Sequence, residues 1–136
     1  VAEFSDYYED KIIDHMLRGQ AFTPPATVYL ALFTAVTGLE ADNPTAEVSG
    51  GSYARQAITL TAASGGATTN SGAITFPTAT AAWGVVTHGA IVDHLSNVTW
   101  GTDVHVLLHS PLDASKDVGI GDTFKVSDGE LDLTVA

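Results

Sequence analysis

The sequence predicts a mainly β protein: an antiparallel β-sandwich, of jelly-roll or immunoglobulin-like type, preceded by one N-terminal α-helix. Three observations lead there. Short apolar or alternating stretches recur at regular spacing, with Gly-rich turns between them. A helical period appears in one stretch, residues 5–18. Small residues supply much of the 45 % hydrophobic fraction, as in "TAASGGATT" and "PTATAAW", and they suit tight sheets better than thick helical cores. A chain of 136 residues fits a single domain, 1–136, able to bury its own core.

The helix comes first. In "SDYYEDKIIDHMLR" Ser5 is a natural N-cap, because its hydroxyl accepts a bond from an unpaired N–H of the first turn. Asp6 and Glu9 lie at the positive end of the helix dipole and Arg18 at the negative end. Gly19 supplies the stop. Tyr8, Ile12 and Met16 repeat every four residues, with Ile13 and Leu17 beside them. That stripe predicts a face turned toward protein, either the sheet of this chain or a neighbouring subunit. Residues 19–26 form a linker, since Pro24 and Pro25 hold the backbone extended.

The sandwich is expected over 27–136. Residues 27–35, "TVYLALFTA", have almost no polar face and read as a strand buried on both sides or under the helix. A long loop follows at 36–52, carrying Glu40, Asp42 and Glu47. "SYARQAITLTA" alternates and predicts a strand, with Tyr53, Arg55, Ala57 and Thr59 on one face. "ASGGATTN" reads as a turn, and "GAITFP" and "GVVTHGAIVD" as strands. "DVHVLLHS" is a strand expected to end before Pro111. The last segment gives one or two more, with Asp128-Gly129 as a tight turn.

Charge and composition exclude several functions. Sixteen acids face five Lys and Arg, for a net charge of −11, so approach to nucleic acid or an anionic membrane is repulsive. The five cations are scattered along the chain, so neither a nucleic acid nor a membrane is an expected partner. There are no cysteines, which removes disulfides and thiolate metal sites. No signal-peptide pattern and no apolar run of membrane-spanning length is visible.

Candidate sites are few. His88, His94, His105 and His109 could converge on zinc, but no recognised ligand spacing accompanies them, and they are expected to be ordinary strand positions. Asp128, Glu130 and Asp132 could face a calcium ion, but no EF-hand spacing accompanies them and a solvated, charged sheet edge is the expected reading. No GxSxG, phosphate-binding loop or catalytic triad is present, so no catalytic, cofactor or metal residue is assigned and no enzyme is expected. Asn97-Val98-Thr99 is a sequon of little weight. The remaining candidates are structural or interfacial: Tyr8, Ile12, Met16, Tyr53, Arg55, Trp83 and Trp100. Arg55 is expected to pin a nearby acidic loop rather than reach a partner. Trp83, among small apolar neighbours, is expected to plug the core.

The segments "SDYYEDKIIDH", "FTPPATVYLALFTA", "EVSGGSYARQAITL", "FPTATAAWGVVTHGAIVD" and "GDTFK", in this order, resemble a family of small structural virion proteins of tailed bacteriophages, commonly labelled head decoration or tail fibre proteins. "GGSYAR" and "FPTATAAWGVVTHGAIVD" are the most specific parts. The resemblance implies a non-enzymatic role on the exterior of the particle, in a protein made in the host bacterial cytoplasm. It implies the major capsid protein or tail proteins as partners. Capsid decoration by a symmetric homo-oligomer, expected to be a trimer, is the main expectation, and a tail or tail-fibre component is the alternative. Residues 94–113 depart from the shorter Gly-rich turn expected in such proteins.

Overall fold

The apolar run near residue 30 lies inside a five-stranded antiparallel sheet, where both of its faces are covered. The computed structural model describes residues 2–135. Its elements are β1 (Glu3–Phe4), α1 (Asp6–Arg18), β2 (Val28–Phe33), β3 (Gln56–Ile58), β4 (Ala67–Thr69), β5 (Ile74–Thr75), β6 (Gly84–Val92), β7 (Val106–Val118), β8 (Lys125–Val126) and β9 (Asp132–Thr134). The sheet has the order β1-β7-β6-β2-β3, and two antiparallel ribbons, β4–β9 and β5–β8, accompany it. The protein is mainly β with one N-terminal helix, as its sequence predicts.

Register explains the burial of β2. Leu30 and Leu32 stand opposite Ile91 and Gly89 on one face, while Ala31 and Phe33 stand opposite Ala90 and His88 on the other. Side chains alternate along a strand, so a run apolar at every position needs cover on both sides. The first face packs against Ile74, Phe76, Phe124 and Leu133 from the ribbons. There Tyr53, Phe76, Trp83 and Phe124 form an aromatic chain with centroid separations of 5.4–6.3 Å. Trp83 is buried, as expected. The second face is closed by Leu39 from the long loop and by Val104 and Trp100 from the segment before β7.

The helix starts as its sequence dictates. Ser5 has extended backbone and accepts the Tyr8 N–H, and Gly19 ends the helix at φ 68° while its N–H bonds the carbonyl of Asp14. Ser5 is fully buried. Its hydroxyl donates to the Val106 carbonyl and its N–H to that of Leu107, so one residue caps the helix and bolts it to β7. The apolar stripe meets the sheet of this chain only in part. Tyr8 packs against the core and Ile12 is half-buried, but Met16 is 70 % exposed, Leu17 80 % and Ile13 50 %. The helix is anchored by its first turn, and its far half projects beyond the sheet.

Three further expectations change. The strand expected at 52–62 is ordered against β2 only at Gln56–Ile58. Beyond it the chain leaves the sheet for the ribbon layer, where Ser71 donates to the Thr59 carbonyl and Thr61 to that of Thr69. "ASGGATTN" is not only a turn, because Ala67–Thr69 pairs with β9. β7 does not stop before Pro111 but continues to Val118. Pro111 is tolerated because β1 covers only Leu108 and His109 on that side, and the β6–β7 register shifts beside it, between Val86 and His88. The Asp128-Gly129 turn forms as expected, with the Glu130 N–H on the Ser127 carbonyl.

Ser5→Ala removes the cap and leaves the buried Val106 carbonyl unpaired. Unfolding in urea should show a loss of about 2–3 kcal/mol. A loss below about 0.5 kcal/mol would show that the bolt is dispensable.

Candidate functional site

"SGGSYAR" carries three successive residues of positive φ, Gly50, Gly51 and Ser52, beside an indole. A Cβ on Gly51 would lie 2.7 Å from the Ala81 carbonyl oxygen and 2.9 Å from Trp83 Nε1, so only glycine lets the backbone approach. Trp83 Nε1 donates to the Gly51 carbonyl at 2.9 Å. The turn closes with the Tyr53 N–H on the Gly50 carbonyl. The chain then leaves the turn with Tyr53 and Arg55 aimed at the same acid.

That acid is Glu47, which reaches position through an isolated bridge between its backbone and Phe33. Arg55 Nε donates to Glu47 Oε1 at 2.7 Å and Nη2 to Oε2 at 2.8 Å, the paired geometry that a guanidinium and a carboxylate share. Arg55 Nη1 donates to the carbonyls of His94 and Asn97, both at 2.9 Å. The guanidinium lies over the Trp100 ring at 4.9 Å. Tyr53 Oη donates to Glu47 Oε1 and accepts the Leu32 N–H, each at 3.0 Å. Burial, and then the Glu47 carboxylate, push the Tyr53 phenol well above its ordinary range. Arg55 is 5 % exposed.

The expected pin is therefore real, and its aromatic partner is Trp100 rather than Tyr53. Four of the sequence-selected residues meet around it: Tyr53 and Arg55 share Glu47, Arg55 covers Trp100, and Tyr53 touches Trp83 edge-on. Tyr8, Ile12 and Met16 lie apart, on the helix. The unusual stretch 94–113 supplies Trp100 and both carbonyls that Arg55 holds.

The other acids of the long loop are held the same way. Asp42 Oδ2 lies 2.5 Å from His105 Nδ1, and Asp42 Oδ1 accepts the Val106 N–H at 2.6 Å. His105 also stacks on Tyr7 at 3.8 Å. Glu40 Oε2 lies 2.6 Å from His109 Nε2. Sequence reasoning did not find these two pairs, which join residues 63 and 69 positions apart.

The four candidate histidines do not converge: His88 and His109 lie in strands, His94 and His105 outside them. His94 Nδ1 accepts the N–H groups of Ser96 and Asn97, shaping the loop that Arg55 grips. His88 bonds Thr87 Oγ1, and burial, then His109, hold its imidazole below the usual range. Nor do the acids of the last segment form a row over a cation. Asp128 accepts the Gly72 N–H and Glu130 the Ser127 N–H, both at 2.7 Å, so each shapes a turn.

A family model described as "Podophage GP4 fiber I protein gp80" matches residues 3–134. No curated protein matches the chain.

Arg55→Leu leaves Glu47 half-enclosed without its counter-charge. Chemical denaturation should show a loss of about 3–5 kcal/mol, and a paired Arg55→Leu, Glu47→Leu variant should recover part of it. A single-variant loss under about 1 kcal/mol would remove the clamp from this account.

Proposed function

The chain belongs to the podophage GP4 fiber I protein family, and on that premise we propose that it is a non-enzymatic structural component of a phage tail fibre. A structural role of fibre type in a phage virion follows from the family itself. The match over residues 3–134 carries the proposal, because it spans helix, sheet and ribbons together. It favours the tail-associated alternative over the capsid-decoration role that the sequence first suggested.

The chemistry of the site supports the same reading. Arg55, Tyr53 and Glu47 spend their donors and acceptors on one another and on backbone carbonyls. Such an arrangement fixes loops; it presents no free nucleophile or base to a substrate. The net charge of −11 suits an exterior position away from packaged nucleic acid. The exposed helix end at Ile13, Met16 and Leu17 suits a chain that works within an assembly. The partners are other tail proteins of the same particle and further copies of this chain in a symmetric oligomer, a trimer being the expected state.

Residue-resolution imaging of the virion, combined with quantitative mass spectrometry, tests this. The expected result is density for this chain on the tail and a copy number of a few dozen or fewer. Density on the capsid faces, at hundreds of copies, would restore the decoration reading and overturn this one.

A further inference from the structure

We propose that Glu3, Glu40 and His109 form a binding site for one divalent transition cation. Glu3 on β1 stands directly opposite His109 on β7. The His109 ring is 6 % exposed, and its Nε2 is aimed at the Glu40 carboxylate. One ligand atom from each of the three residues lies within 4.8 Å of the other two. An ion with bond lengths of about 2.0–2.2 Å closes that triangle through small rotations of two exposed glutamates. The recess beside it, about 480 Å³ and lined by Glu3, Phe4, Glu9, Glu40 and Thr134, gives the ion a path from solvent.

An ordinary imidazole–carboxylate pair accounts for His109 and Glu40 but not for Glu3. It also leaves Asp6 and Glu9, whose oxygens lie within 4.8 Å of those of Glu40. The helix dipole explains these two acids on its first turn, so they are not required as ligands. Together, however, four carboxylates crowd one corner of the fold, Glu3 and Glu40 beside His109, and Asp6 and Glu9 beside Glu40. Among the described residues the ion pairs made by arginine are Arg18–Asp14 and Arg55–Glu47, and neither reaches this recess. A bound cation offsets the mutual repulsion. The donor set, one imidazole nitrogen with carboxylate oxygens, fits zinc or manganese better than calcium, which takes oxygen ligands. Such an ion ties β1, the long loop and β7 together where Asp6 N–H already bonds the Glu40 carbonyl at 3.0 Å. The three ligands come from distant parts of the chain, which is why no spacing in the sequence announces them.

The test is calorimetric titration of the full chain, freed of metal by a chelator, with zinc chloride and separately with manganese chloride. The expected result is one saturable equivalent per chain and a rise in the midpoint of thermal unfolding. Glu3→Gln and Glu40→Gln alter exposed side chains and should fold; each should weaken binding at least about ten-fold. His109→Asn should abolish it, and if that variant fails to fold the two glutamate variants carry the test. Absence of saturable binding up to millimolar cation, or undiminished binding in both glutamate variants, overturns the site.

Discussion

Arg55 is a permanent cation held almost out of water in a chain with five Lys and Arg in all. Removing a guanidinium from water costs several kcal/mol unless its donors are satisfied. Here Glu47 accepts from Nε and Nη2, the carbonyls of His94 and Asn97 accept from Nη1, and Trp100 covers the plane. The consequence is geometric more than energetic. The long loop gives Leu39 and Val48 to the core, and the segment before β7 gives Val104 and Trp100, but such apolar contacts are not directional. A bidentate pair has one good geometry, so it selects one placement from many loosely packed ones.

The rest of the second face follows from that placement. With Glu47 fixed, Leu39 is brought over Phe33, and the acids at 40 and 42 reach His109 and His105. The three acids of one loop are thereby paired to three residues outside it. The first face is organised differently, by aromatic contact among Tyr53, Phe76, Trp83 and Phe124. Tyr53 joins the two schemes, since its ring packs on the apolar side while its hydroxyl bonds Glu47 and the Leu32 N–H. The sheet is thus covered on one side by rings and on the other by an apolar cluster that charged pairs tie down.

A fibre component has to keep its shape in the open and offer surfaces for assembly. Buried polar groups that are fully bonded specify a unique arrangement without chemical reactivity. No buried side-chain nitrogen or oxygen among the described residues lacks a partner. The helix contrasts with this. Its first turn is locked by Ser5, while its far half carries apolar side chains into solvent.

How much of this was legible depends on the range of the interaction. The helix, with Ser5 and Gly19 at its ends, was readable because capping and dipole effects act within four residues. So was β2, because its unbroken apolar run admits no wet face, and so was the burial of Trp83. Arg55 was readable as a pin to an acidic loop, since the acids stood a few positions away. Its choice of Glu47, and its resting place on Trp100, were not. The tertiary structure alone decided the pairs Asp42–His105 and Glu40–His109, the conversion of 67–69 from turn to strand and the passage of β7 through Pro111. It also turned Met16 away from this chain's own sheet, one of the two protein surfaces that the helical period offered it. The amino-acid order determines what each segment is able to do by itself. Which segments meet is decided by the closing of long loops, and that information lies in the packed chain as a whole.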